Sequence, residues 1–202
     1  MTAEDDDAFW LYEADPQVDI CDPTLTVDAC LDVILPEIQD RIAHVGAVAV
    51  EIGCGIGRLT NPMQALHPAA TVIGIDINPR FIDAAVWAAR KDGLKVPTYV
   101  VDDGLGYCRD GEADAVYSMC VFQHIDNDRK RDYIAQVGRV LRPGGVFRFQ
   151  YVEGAHSSRC MYDALIGDVR AWCVEAGLTV QRAQHDLLMP RWTWVTATRE
   201  AA

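Results

Sequence analysis

Between positions 51 and 58 the chain reads Glu-Ile-Gly-Cys-Gly-Ile-Gly-Arg. Glycine is the residue that lets backbone turn sharply and approach a ligand with no Cβ in the way, so three of them in five positions mark a candidate binding turn. The run before it, residues 47–52, is almost wholly apolar, as a strand buried on both faces should be. The segment after it, near residues 57–66, carries helical spacing, and the free N–H groups at a helix start would face the turn. Strand, glycine turn and helix in that order suit a nucleotide cofactor, although three glycines alone also fit a tight loop.

Spacing and neighbours choose between cofactors. A dinucleotide fingerprint needs glycine at 53, 55 and 58, but position 58 is Arg58 and the third glycine is Gly57. Glu51 places a carboxylate near the strand end, where it would repel a pyrophosphate and could attract an ammonium group directly or through water. This asymmetry favours S-adenosylmethionine over a nicotinamide dinucleotide. Asp76, near the end of a second strand-like run at residues 71–77, can accept two hydrogen bonds from a ribose diol. Taken alone, an aspartate there serves equally as a helix cap or turn residue. Asp102 and Asp103 follow a third run at residues 98–101, with Gly104 behind them.

These residues need a scaffold that brings strand ends together. Residues 47–52, 71–77, 98–101, 113–119 and 146–152 read as strands, alternating with helical spacing near 57–66, 79–91, 128–141 and 161–176. Pro79 suits a first helical turn. Such alternation favours a parallel sheet covered on both faces. After Gly177 the pattern becomes two strand-like runs, 178–183 and 192–198, with no helix between them, which should pair antiparallel. Ahead of the core, residues 26–42 carry helical spacing, and Pro36 predicts a kink or break midway. In residues 140–146 a proline and paired glycines are placed to stop a helix and reverse the chain.

Taken in order, the segments from about Val45 to Thr198 resemble the class I S-adenosylmethionine-dependent methyltransferases. The resemblance implies a Rossmann-like, doubly wound α/β fold: a mostly parallel seven-stranded sheet with a C-terminal antiparallel strand and helices on both faces. It divides the chain into an N-terminal helical or lid segment, residues 1–44, and an S-adenosylmethionine-binding domain, residues 45–202. It assigns Glu51, Gly53, Cys54 and Gly55 to the cofactor turn, and Asp76 with Ile77 to the ribose. Asp103 is the preferred partner of the adenine amino group, with Asp102 nearly as good and Gly104 adjoining. Ser118 and Met119 would line the methionine end. After the fourth strand the Asn/Asp-Pro-Pro-Tyr signature of many enzymes acting on nucleic acid bases and proteins is absent, which points to a small-molecule acceptor.

A sulfonium is already a strong methyl donor, so the protein must chiefly align a nucleophile and exclude water. Where the acceptor is a hydroxyl or an acidic carbon a base helps, and His124, following the fourth strand, is the candidate. A histidine there can instead cap or pack the next helix. His44, His67, His156 and His185 show no ligand spacing, so no metal is expected. His156, after the fifth strand, falls where it could border the substrate mouth or sit in an exposed loop. Phe9, Trp10 and Tyr12 could cover an apolar or cationic acceptor, or pin the N-terminal segment to the core.

Composition sets outer limits. With 18 Lys and Arg against 30 Asp and Glu, the net charge of -12 should repel phosphate backbones, so nucleic acid is not expected as a partner. Seven cysteines without a Cys-x-x-Cys pair suggest thiols in a reducing, cytoplasmic setting. The acidic start lacks the features of a secretory signal, and no apolar run approaches the ~18 residues of a membrane span. The sequence is silent on oligomeric state. Two further readings stay open: a nicotinamide-dependent oxidoreductase, disfavoured by Arg58 and the terminal antiparallel pair, and a non-catalytic S-adenosylmethionine-binding scaffold.

Overall fold

The computed structural model of the chain describes residues 9–14, 26–154, 161–186 and 191–200. Its strands are β1 (Val48–Ile52), β2 (Thr71–Asp76), β3 (Thr98–Val101), β4 (Ala113–Ser118), β5 (Leu141–Val152), β6 (Leu178–His185) and β7 (Trp192–Arg199). Its helices are α1 (Val27–Ile42), α2 (Thr60–Leu66), α3 (Pro79–Lys91), α4 (Asn127–Val140) and α5 (Ile166–Glu175). A π-helical turn spans Phe9–Glu13 and a 3-10 turn spans Phe122–His124.

The strands form one sheet in the order β3-β2-β1-β4-β5-β7-β6. Neighbours from β3 to β5 run parallel, whereas β7 is antiparallel to both β5 and β6. This is the doubly wound arrangement expected, including its antiparallel end. The strand order reverses direction beside β1, between β2 on one side and β4 on the other, and ligands of such sheets lie at the carboxyl ends of the strands at that point.

Alternation along β1 sorts its side chains between two apolar layers. Val50 and Ile52 pack with Phe122, Ile134, Val137 and Val169 beneath α4 and α5. Ala49 joins Ile34, Ile38, Ile42 and Met63 beneath α1 and α2, and Glu51 shares that parity. α3 packs along β2 and β3. Its start is well specified: Asn78 caps the helix by accepting from Arg80 N at 2.9 Å, and Pro79 occupies the first helical position.

Local departures from the sequence expectation have physical causes. Helix α1 is unbroken from Val27 to Ile42 despite Pro36. Pro36 and Asp32, four residues earlier, are both solvent-exposed, so water can serve the carbonyl that proline leaves without an N–H. The buried stripe Cys30, Leu31, Ile34, Ile38 and Ile42 supplies packing that outweighs the lost bond. α2 starts at Thr60, after Gly57 at a φ of 77° holds the chain in a left-handed turn. α5 starts at Ile166 because the backbone before it bonds elsewhere: Tyr162 N to Gln123 O at 2.7 Å and Ala164 N to Val152 O at 3.0 Å. The proline and paired glycines after α4 do end that helix, but the chain enters β5 directly. Leu141 pairs with Ala113, and the register resumes at Val146 opposite Ala115.

Candidate active site

The end of β1 is tied to β2 beyond the last strand pair, because Gly53 N and Cys54 N both donate to Ile75 O, at 2.8 and 3.0 Å. Gly53, Gly55 and Gly57 all take positive φ, at 69°, 51° and 77°. At Gly53 a Cβ would collide with Val121 Cγ2, so the loop after β4 closes directly on this glycine. Asp76 completes the turn: one carboxylate oxygen accepts from Gly55 N at 2.9 Å and the other from Asn78 N at 2.9 Å. The aspartate is therefore a clip between the glycine turn and the start of α3 as well as a surface of the site. Burial raises its pKa above the usual carboxylate range.

Glu51 is 3 % exposed and accepts a hydrogen bond from the Thr60 hydroxyl. Burial is the main cause that lifts its pKa to about 8, with the Asp76 charge adding to it and the Thr60 and Tyr117 hydroxyls opposing it. The carboxyl is thus held protonated at neutral pH until a cation arrives beside it.

Asp102 and Asp103 follow β3 as expected but differ in setting. Asp102 N donates to Asp76 O at 3.1 Å, and its side chain accepts from Tyr107 N at 3.3 Å. Asp103 pairs with Arg129 and accepts from the Tyr133 hydroxyl at 3.3 Å, both on α4. Gly104 stands where a Cβ would meet Gln136 Oε1 at 2.7 Å, so it seats the loop against α4.

A cavity of about 480 Å³ opens at these strand ends, within the roughly 300–1,000 Å³ of small-molecule sites. Its lining brings together Glu51, Gly53, Cys54, Gly55, Asp76, Ile77, Asp102, Asp103, Met119 and His124. Of the residues expected at the site, Gly104 and Ser118 do not line it. Ser118 is fully buried, and its hydroxyl donates to Ile52 O at 3.0 Å, joining β4 to β1 beneath the cavity floor.

The rest of the lining includes the loop after β4 with Trp10, Cys30, Met161 and Trp192. Asp126 caps α4 by accepting from Arg129 N at 2.8 Å, so His124 is not that helix's cap. The His124 ring meets Trp10 edge-on, at a centroid distance of 4.9 Å. The turn carrying Trp10 is held by Asn78 Nδ2 donating to Trp10 O at 2.6 Å and by Arg80 donating to Ala14 O at 3.1 Å. Trp10 thus both lines the cavity and is pinned to the core. Tyr12's side chain and the loop with His156 lie outside the described residues. Among the described residues no group of His, Cys, Asp and Glu is arranged to hold a metal, and no helix is long and apolar enough to cross a membrane.

Sequence reasoning missed Gln123, Arg129, Tyr133, Met161 and Trp192, all of which line the cavity. Arg129 carries no local signal for this role, because its partner Asp103 is 26 positions away and the contact exists only once α4 packs against the sheet.

A fold of this order with an acidic cavity at its switch point has the geometry of a nucleotide-cofactor site. Residues 49–145 match the family described as methyltransferase domain. The malonyl-[acyl-carrier protein] O-methyltransferase of Hahella chejuensis is 31% identical over 96 residues, which is 48% of this chain and 33% of that protein. The ubiquinone biosynthesis O-methyltransferase of Methylococcus capsulatus is 32% identical over 114 residues, 55% of this chain and 46% of that protein. The chain therefore spans less than half the length of these relatives in the matched region. Among solved structures, the magnesium protoporphyrin IX methyltransferase from Synechocystis PCC 6803 with bound SAM aligns with a TM-score of 0.76 at 17% identity, covering 99% of this chain and 98% of that one. Over residues 49–145 the chain is thus similar to methyltransferase domains, and it shares its fold with a methyltransferase solved with S-adenosylmethionine bound.

Proposed function

We propose that this protein transfers a methyl group from S-adenosylmethionine to a small-molecule acceptor by direct displacement. The observation that carries the proposal is that Glu51, Asp76 and the Asp102–Asp103 pair, at the successive ends of β1, β2 and β3, all line one cavity. That donor set suits the cofactor: a buried carboxyl for an ammonium, an aspartate for a diol and a carboxylate for an adenine amino group. Cys54, Gly53, Gly55, Ile77 and Met119 line the same cavity.

When bound, the cofactor supplies a methyl on a positively charged sulfur, so the bond to the acceptor forms as the methyl–sulfur bond breaks. The chain's own residues then have three tasks. Glu51 and Asp76 hold and orient the donor. Trp10, Met119 and Trp192 exclude water from the reacting atoms. His124, in the same lining, takes the acceptor's proton where the acceptor is a hydroxyl or acidic carbon. Residues 1–44 act in this reading as the segment that closes over the acceptor, and residues 45–202 as the cofactor-binding domain. A reducing, cytoplasmic setting without nucleic acid as substrate fits the net charge of -12 and the buried thiols Cys54, Cys108 and Cys173.

Calorimetric titration tests the cofactor. S-adenosylhomocysteine should bind at one site per chain, and NAD should not bind, despite Arg58 on the same cavity wall. Saturable NAD binding without S-adenosylhomocysteine binding would replace this reading with an oxidoreductase. Cofactor binding without methyl transfer to any acceptor would favour a scaffold role.

A further inference from the structure

Glu51 sits near the end of β1 in a setting that disfavours an ionised carboxylate. It is 3 % exposed, and its Oε2 accepts from the Thr60 hydroxyl. Oε1 has no donor among the described residues, yet it is not one of the side-chain atoms sealed away without a partner, so it opens to the cavity that Glu51 lines. The backbone is held on both sides, in register with Gly74 of β2 and Tyr117 of β4. No Lys, Arg or His of the described residues lies within ion-pair distance of either oxygen.

The groups packed around Glu51 do not offset a negative charge there. Asp76 on β2 brings a second carboxyl, and Cys54 of the glycine turn, Tyr99 on β3 and Tyr117 on β4 are acids that burial keeps neutral. Cys30 of α1 and Arg58 line the same cavity, Arg58 outside ion-pair distance of Glu51. The remaining titratable groups of the lining are Asp102, the Asp103–Arg129 pair, His124 and Tyr133. A buried carboxylate without a cation is costly, so the group keeps its proton. The rise of its pKa to about 8, caused chiefly by burial, agrees with this geometry.

We propose that cofactor binding is coupled to proton release: Glu51 gives up its carboxyl proton to bulk water as the ammonium of S-adenosylmethionine arrives, and an ion pair replaces the neutral acid. The inference rests on the methyl-transfer reading, which sets that ammonium beside Glu51. The only bond broken is the carboxyl O–H, and the charge left on Glu51 is matched by the incoming cation. A ligand without the amine leaves the proton in place. Affinity for the cofactor therefore rises with pH up to about 8 and falls below it, because the proton competes with the ammonium for one carboxylate.

Calorimetric titration of the full chain with S-adenosylhomocysteine at pH 7, in phosphate and in Tris, counts the protons, because the two buffers take up a proton with different heats. 5′-Methylthioadenosine, which keeps the adenosine and the sulfur but lacks the amine, is titrated in parallel. S-adenosylhomocysteine should release about one proton more than 5′-methylthioadenosine, and its affinity should rise roughly tenfold from pH 6 to pH 7 relative to that ligand. The comparison removes any contribution of Asp76, since both ligands carry the ribose. Glu51→Gln, an uncharged isostere of the protonated acid, should abolish the difference in proton release. Equal proton release by the two ligands in the wild type, or a difference that survives in Glu51→Gln, overturns the inference. The ligand comparison needs no variant, so it decides the matter should Glu51→Gln bind too weakly or fail to fold. Absence of S-adenosylhomocysteine binding to the wild type is a different result, and it defeats the methyl-transfer reading instead.

Discussion

The charged and the uncharged parts of the cavity lining are built by different means. The acidic wall stands on the ends of three adjacent parallel strands, and its backbone is locked by sheet-like bonds that run past the strands, from Gly53 and Cys54 to Ile75 and from Asp102 to Asp76. The uncharged wall is assembled from a 3-10 turn, an N-terminal turn and single residues at 161 and 192, joined by ring contacts and isolated hydrogen bonds. The difference teaches that recognition of a constant ligand can be committed to the sheet, while recognition of a variable one is left to loops.

The comparison can be broken most severely at His124. His124→Ala should lower turnover by about 10²–10⁴-fold, the usual contribution of a positioned base, with S-adenosylhomocysteine affinity little changed. Full activity would reduce His124 to a packing partner of Trp10. Next in size is Phe122→Ala, which removes a wholly buried ring from beneath the uncharged wall. It should cost about 3–5 kcal/mol of stability, read as a lower midpoint in urea. A midpoint shift worth under about 1 kcal/mol would show that the ring stack does not support the turn.

On the acidic wall, Asp76→Ala should weaken S-adenosylhomocysteine binding by about 1–3 kcal/mol through lost charge-assisted hydrogen bonds. Unchanged affinity in calorimetry would remove Asp76 from the cofactor site and leave it only its clip between Gly55 and Asn78. A further effect on the same wall is one of pH. Burial raises the folded-state pKa of Glu51 from 4.5 to about 8, so the folded chain holds a proton that the unfolded chain releases across that window. This contribution to stability is present in full below pH 4.5 and is lost as pH rises through about 8. Glu51→Gln cannot lose it, so its melting temperature should fall less than that of the wild type between pH 5 and 8. Parallel profiles for the two proteins would show that Glu51 ionises without penalty.

The acidic wall was largely legible in the sequence and the uncharged wall was not. Glu51, Asp76 and Asp103 are each adjacent to a strand end or glycine turn that local pattern reveals, and the parallel sheet brings those ends together whatever the loops do. Gln123 has no such marker. What sets it apart is an amide oxygen without a partner, a property of the packed protein rather than of the residue type. Trp10 and His124 meet across more than half of the chain's length, a contact that no local spacing encodes. The expected break at Pro36 failed for a related reason. Proline's cost in a helix is local, whereas the apolar stripe that holds α1 together acts through the sheet beneath it.

A crystal structure of the protein with S-adenosylhomocysteine tests the central claim most directly. The account places the ammonium near Glu51, the ribose hydroxyls on Asp76, and the sulfur beside the uncharged part of the lining, near His124. A cofactor bound with its sulfur turned away from the uncharged wall, or bound outside this cavity, would contradict it.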